Sequence, residues 1–190
     1  MINDSTRAEA YYLYGIHLFN NHEIIKSIQA LKYAVHYNPD EALYWIDLGQ
    51  IQKAMGMDQD ALTSLIKGVS INTNYPHAHN HIGVLFSKYD YHAQAKVSFE
   101  MALKLDPNNL SAKTNLAGTL LKLDQIDQAL SLCEEVLLID PKNVPALTQK
   151  ADALTKLGLP REAVPILQQA LEEDPTNAQI HSALLMTMLY

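Results

Sequence analysis

Three histidines alternate along one short stretch, His77, His79 and His81, and the chain has a single thiol, Cys133. On a helix His77 and His81 share one face a turn apart, a spacing that lets two imidazoles hold a zinc ion. Zinc needs at least a third ligand, and no cysteine, aspartate or glutamate stands at a suitable neighbouring position except Asp47, well upstream. No metal is therefore expected, and the two imidazoles read as solvated groups titrating near their ordinary value of ~6.5. Cys133 lies among apolar residues, which favours a small buried hydrophobe over a nucleophile. The sequence contains no phosphate loop and no dinucleotide fingerprint. Glu134–Glu135 and Glu172–Glu173–Asp174 read as outward-facing charges without a pocket. Neither a catalytic centre nor a cofactor is expected.

The elements that must position these residues follow from composition and periodicity. With 190 residues, 48% of them hydrophobic and 18% charged, the chain suits one globular domain, 1–190. One cysteine excludes an internal disulfide framework and fits a reducing compartment, so a cytoplasmic location is expected. The N-terminal residues lack the pattern of a secretion signal, and no run of eighteen apolar residues occurs, so no membrane association is expected. A net charge of −7 argues against nucleic acid, whose binding needs a concentrated basic face.

Aligned with itself, the chain shows a period of 34 residues without insertions, over 8–41, 42–75, 76–109, 110–143 and 144–177. Place eight of each unit is small: Gly15, Gly49, Gly83, Ala117 and Ala151. So is place twenty, with Ser27, Ala61, Ala95, Ala129 and Ala163, and so in most units is place twenty-seven, with Ala34, Gly68, Ala102, Val136 and Ala170. Small residues at these intervals let two helices approach closely. Large residues fill the interface between them, at place twenty-four (Leu31, Leu65, Phe99, Cys133, Leu167) and place seven (Tyr14, Leu48, Ile82, Leu116). Pro39, Pro107, Pro141 and Pro175 at place thirty-two stop the second helix of a unit. In the second unit Thr73 takes that place, and Pro76 stands instead at the first position of the next helix. Two departures stand out in the fifth unit: Lys150 at the apolar seventh place, and Pro165 inside the second helix, where a local bend is expected. Residues 178–190 repeat the first-helix pattern and read as a capping helix.

This pattern resembles the tetratricopeptide repeat family over residues 8–177. The resemblance implies an all-α fold, a right-handed α-solenoid of five helical hairpins plus the C-terminal cap, with first helices lining a concave groove. It further implies that places two, five, six, nine, twelve and thirteen of each first helix face that groove. Place six then offers Leu13, Asp47, His81, Asn115 and Gln149, the last four a polar ladder suited to hydrogen bonds with a peptide backbone. His77 and Asn80 lie beside it on the third unit's first helix. Solvation alone would also account for such a column. A basic rim of Lys53, Lys88, Lys122 and Lys156 could steer an acidic ligand, or simply complement the negative ends of the helices. Tyr12, Leu13, Ile16 and Phe19 make the first unit's groove surface apolar, either an anchor pocket or a contact between copies of the chain.

The expected function is a scaffold binding a protein or peptide segment in the groove, with self-assembly through the first unit as an alternative. The lysine–asparagine–arginine grip on a terminal carboxylate known in heat-shock co-chaperones is not matched, because Tyr12, Ile16, Asp47, His77 and His81 occupy that region. A further alternative rests on residues 180–190. His181, Ser182, Leu184, Leu185 and Tyr190 are similar in order to the segment joining repeats to the catalytic half in O-linked N-acetylglucosamine transferase-type glycosyltransferases. That likeness implies the recognition arm of a larger enzyme.

Overall fold

A computed structural model describes residues 3–189, and among them it contains eleven helices and no strand. Tyr190, the last residue of the expected capping helix, lies outside the described residues. The chain divides into two units, residues 1–85 and 86–190. The first contains the hairpins α1 (Asp4–Asn20) with α2 (Ile24–Tyr37) and α3 (Ala42–Ala54) with α4 (Asp58–Ile71), followed by most of α5 (Pro76–Lys88). The second contains α6 (His92–Leu105), the hairpins α7 (Leu110–Lys122) with α8 (Ile126–Ile139) and α9 (Val144–Lys156) with α10 (Pro160–Glu173), and the single helix α11 (Ala178–Met188).

Each helix boundary has a local cause. The turn inside every hairpin places one residue, always place fifteen, in the left-handed region: His22, Gly56, Asp90, Asp124 and Gly158, with φ between 60° and 77°. Glycine adopts that conformation without strain, and aspartate tolerates it better than most residues. Between hairpins of the second unit the sequence Asp-Pro-x-Asn does the work. Proline ends one helix, and Asn109, Asn143 and Asn177 cap the next by accepting backbone N–H groups at 3.0–3.3 Å. The preceding aspartate holds the cap in place, since Asp140 and Asp174 accept from the amides of Asn143 and Asn177 at 3.0 and 2.9 Å.

A second fastening recurs at place four, where a ring N–H donates to the backbone carbonyl six residues earlier. Trp45 Nε1 donates to Pro39 O at 2.8 Å, and His79 Nε2 and His181 Nε2 reach Thr73 O and Pro175 O at 3.0 and 2.9 Å. A carbonyl can only accept, so both histidines carry a proton on Nε2. His79 thereby secures the one turn whose proline is displaced, and Pro76 opens α5 as its position requires. Burial lowers the His79 pKa.

The core of each hairpin is a large residue seated on a small one. Leu31, Leu65, Phe99 and Cys133 at place twenty-four are fully buried, as are the small residues at places twenty and twenty-seven. A Cβ added to Gly15 would stand 2.9 Å from Leu31 Cγ, and one added to Gly49 would stand 2.7 Å from Leu65 Cγ. Place seven divides. Leu48, Ile82 and Leu116 are 2%, 4% and 6% exposed, whereas Tyr14 is 54% exposed because no described helix precedes α1 to cover it. In the fifth unit Lys150 replaces the apolar contact by an ion pair with Glu134 of α8, at 3.0 Å. The helix α10 runs from Pro160 to Glu173 as one element with Pro165 inside it.

Candidate functional site

The residues in question sit on the first helices, α1, α3, α5, α7, α9 and α11, and each unit holds its own group of them. In the first unit Asp47 is half-buried and accepts a hydrogen bond from the Tyr12 hydroxyl at 2.8 Å. Burial pushes the Asp47 carboxyl above its ordinary pKa, a shift the Tyr12 bond opposes but does not cancel. The Tyr12 hydroxyl is pushed up in turn, by burial first and then by the carboxylate. Its ring stacks on Tyr44 with centroids 4.6 Å apart. Tyr12 and Ile16 pack against the core formed by Leu31, Tyr44 and Leu48, while Leu13 and Phe19 are exposed.

On α5, His77 is exposed, His81 is half-buried and Asn80 is buried. Burial, with the charges of Lys53 and His77, pulls the His81 pKa down to about 4. At neutral pH His81 is therefore an uncharged ring able to donate and accept one hydrogen bond each. Two histidines do not complete a metal site, and no group of three or more His, Cys, Asp or Glu suited to a metal ion occurs among the described residues. Lys53 is half-buried; Lys88, Lys122 and Lys156 are exposed, with Lys88 Nζ lying over the Tyr89 ring at 5.8 Å. Asn80, Lys88 and Asn115 are each engaged by a neighbouring group.

In the second unit Asn115 and Gln149 are half-buried on α7 and α9. The Gln149 side chain turns onto the preceding hairpin, α7 with α8: Cys133 Sγ donates toward its Oε1 at 3.9 Å, and its amide nitrogen fills the space a Cβ on Gly118 would need. Burial pushes the Cys133 thiol up to about 12, so almost none is thiolate at neutral pH. Beyond Gln149 a cleft of about 360 Å³ opens between α9 and α11, lined by Val144, Pro145, Thr148, Gln179, Ile180 and Ala183. Pro145, Thr148, Gln179 and Ala183 occupy places two, five, two and six of their helices. These places belong to the columns that the family resemblance turns toward the groove, and the sequence reading did not single these residues out. The signal was present, because the place-six column continued one helix further ends in alanine, a side chain too short to fill the face.

Two family models, both described as tetratricopeptide repeat, match residues 76–109 and 123–186. The first of these coincides with the third repeat unit. No curated protein matches the sequence. Among solved structures the chain is similar to MamA, with 23% identity, coverage of 91% of this chain and 94% of that one, and a TM-score of 0.81. It is similar to YrrB, described as a TPR protein with an unusual peptide-binding site, at 17% identity, 95% and 91% coverage and a TM-score of 0.83. It is also similar to a tetratricopeptide repeat protein of Parabacteroides merdae, at 18% identity, 96% and 73% coverage and a TM-score of 0.83. Among the described residues no helix is long and apolar enough to cross a membrane.

Proposed function

Because the chain belongs to the tetratricopeptide repeat family, we propose that it is a protein-interaction scaffold whose first helices bind a segment of a partner protein. The observation that carries this reading is the cleft between α9 and α11. It is lined by the small and apolar residues Val144, Pro145, Ile180 and Ala183, with Thr148, Asn177 and Gln179 as its polar members. An apolar wall with a few polar groups is the usual make-up of a pocket that takes one side chain of a ligand and orients its backbone. Asn115 and Gln149 supply further amide groups on the two first helices before it. That YrrB is described as having a peptide-binding site supports the same reading.

The test is capture of partner peptides by the intact chain. Ala183→Phe fills the cleft with a ring, and Asn115→Ala with Gln149→Ala removes the amides. Either variant is expected to weaken binding at least ~10-fold, a loss of about 1.4 kcal/mol, with unchanged helical circular dichroism. Undiminished affinity in both variants defeats the proposal.

Self-association is a second reading, favoured by the surface around Tyr14. Tyr11, Tyr14, Leu18 and Tyr33 line a shallow recess at the face of α1 and α2 that no other described helix covers. Sedimentation across a range of concentrations checks this. A dimer that dissociates on Tyr14→Asp supports it, and a monomer at every concentration removes it.

A further inference from the structure

Of the four carboxylates on the first helices among the described residues, Asp4, Glu9 and Asp152 are exposed and Asp47 is half-buried. Asp47 is also joined to two aromatic rings. The Tyr12 hydroxyl of α1 donates to Asp47 Oδ2 at 2.8 Å, and the Tyr12 ring stacks on Tyr44, one turn before Asp47 on α3, with centroids 4.6 Å apart. Among the described residues Oδ1 accepts no hydrogen bond, and no lysine, arginine or histidine nitrogen lies within 4 Å of either oxygen. Cations elsewhere on the first hairpin are matched locally, Arg7 with Asp4 at 3.6 Å and Lys26 with Glu23. A tyrosine hydroxyl is neutral, so it shares the charge of the carboxylate without cancelling it, and a carboxylate has room for about four donors. The raised pKa of Asp47 agrees with a charge short of water and without a counter-ion. An arriving cation relieves that deficit.

We propose that Asp47, Tyr12 and Tyr44 form a subsite for one basic side chain of the bound segment, the ammonium of a lysine or the guanidinium of an arginine. The proposal rests on the reading of the first helices as a peptide-binding face. Asp47 supplies the counter-charge through Oδ1, the oxygen that Tyr12 leaves open. The stacked tyrosines supply π surface, which attracts a cation within about 6 Å of a ring centroid. Tyr12 is half-buried and has ring surface to offer, while Tyr44, 9% exposed, backs it. Leu13, next to Tyr12 in the chain and 59% exposed, offers apolar surface to the methylene stem of such a side chain. The Tyr12 hydroxyl holds the carboxylate in one orientation, so the cation meets an acceptor already in place. An acidic side chain at the same spot is repelled.

The net charge of −7 attracts any basic ligand, so the experiment must separate a local site from bulk attraction. The intact chain is presented with an array of short random peptides, and those that bind are resynthesised with lysine, arginine, glutamine or glutamate at each position. A basic residue is expected to be preferred over glutamine at one position by roughly 10-fold, a difference of about 1.4 kcal/mol. Asp47→Asn, which still accepts from Tyr12, should reduce that preference below about 2-fold. Glu172→Gln makes the same change of net charge at an exposed position of α10 and should leave the preference intact. Tyr12→Phe keeps the ring and should retain most of the preference, whereas Tyr12→Leu should lower it partway. Helical circular dichroism confirms that each variant is folded. Binding peptides with no preference for a basic residue, or a preference untouched by Asp47→Asn, overturn the subsite and leave the wider binding face intact. Equal losses in Asp47→Asn and Glu172→Gln trace the preference to bulk charge and overturn it too. A preference unchanged in Tyr12→Leu overturns the part given to the rings. If no peptide binds at all, the binding face itself falls and the subsite falls with it.

Discussion

The hairpins of the first unit are closed more tightly than those of the second. Helices α3 and α4 approach one another over more of their length than α9 and α10, although the two pairs match in length, and α1 with α2 exceeds α7 with α8 in the same way. The sequence difference at the point of contact is one methyl group: place eight is Gly15 and Gly49 in the first unit, Ala117 and Ala151 in the second. Without a Cβ the partner leucine, Leu31 or Leu65, settles directly onto the backbone of the first helix. The fastenings differ accordingly. The first unit joins its helices by rings, with Tyr11 stacked on Tyr37 at 5.6 Å and Tyr12 on Tyr44 at 4.6 Å. The second joins its helices by ion pairs, Lys113 with Glu135 and Lys150 with Glu134. A single repeat pattern therefore supports two ways of filling the gap between helices.

The sharpest way to break that comparison is to exchange the methyl group. In Gly49→Ala the new Cβ stands 2.7 Å from Leu65 Cγ and 3.0 Å from the Leu65 backbone nitrogen, so the whole second helix must shift. The expected cost is about 1–3 kcal/mol from overpacking, despite the ~1 kcal/mol that alanine gains in helix propensity. The reverse change, Ala151→Gly, should cost about 1 kcal/mol through propensity. Urea denaturation of the two variants measures both. Equal costs would mean that glycine at place eight has no special role in the first unit.

The units differ again in their response to acid, because the buried titrating groups His79, His81 and Asp47 all belong to the first. Folding lowers the His81 pKa from its ordinary 6.5 to about 4. The unfolded chain therefore takes up a proton before the folded one does. Stability from this group is complete above about pH 6.5 and is lost progressively as the pH falls toward 4. His79, also lowered, acts in the same direction. The raised Asp47 has the opposite sign, favouring the fold below its unfolded value of 3.8 and losing that contribution as pH rises through the folded value. Where the two ranges overlap it offsets part of the histidine effect. Allowing for partial exposure, His81 should account for about 1–2 kcal/mol of lost stability between pH 7 and pH 5. Urea denaturation at the two pH values should show that loss in the parent chain and a clearly smaller one in His81→Gln.

How much of this was legible in the sequence depends on the distance over which each feature acts. The 34-residue period, the small residues at places eight and twenty, and the helix-ending prolines are visible because each repeats in phase and has one steric meaning. The all-α architecture followed from them. The hairpin turns were less legible, since place fifteen adopts positive φ in all five units but only Gly56 and Gly158 announce it by residue type. Asp47 looked like a simple rung of the place-six column. Its engagement with Tyr12 joins residues 35 apart, in different columns of two successive 34-residue repeats, and no periodicity encodes that. The cleft beyond Gln149 was hidden for another reason: a column scanned for polar side chains does not draw the eye to Ala183, where a short side chain leaves space.

Place fifteen offers a smaller effect that compares turns within one fold. His22 holds φ at 62°, the left-handed conformation that Gly56 reaches without penalty at the equivalent position. A side chain there costs about 1 kcal/mol, partly offset because glycine makes the unfolded chain more flexible. His22→Gly should therefore stabilise the first hairpin by roughly 0.5 kcal/mol. A higher urea midpoint without altered steepness of the transition is the expected reading, and a lower midpoint would show that the His22 ring makes a contact worth more than the strain.

The smallest expected effect tests the fastening of the second unit. Lys150 stands where Leu48, Ile82 and Leu116 fill the seam between hairpins, and its ammonium reaches Glu134 across α8 and α9. The lysine side chain is 25% exposed and the glutamate 56%, so water screens the pair and its net contribution is held to about 0–1 kcal/mol. Lys150→Leu removes that attraction, returns Glu134 to solvent without a buried unpaired charge, and places apolar surface against apolar surface. The lysine stem already covers part of the seam, so the gain in burial is modest. These terms nearly cancel, and the predicted change is within about 0.5 kcal/mol of zero. Salt separates them: added sodium chloride should weaken the parent chain relative to Lys150→Leu, because only the parent relies on an ion pair at this seam. A loss above about 2 kcal/mol on Lys150→Leu would mean that the pair is effectively buried, and the contrast drawn between ring-fastened and charge-fastened units would then understate how firmly charge holds the second.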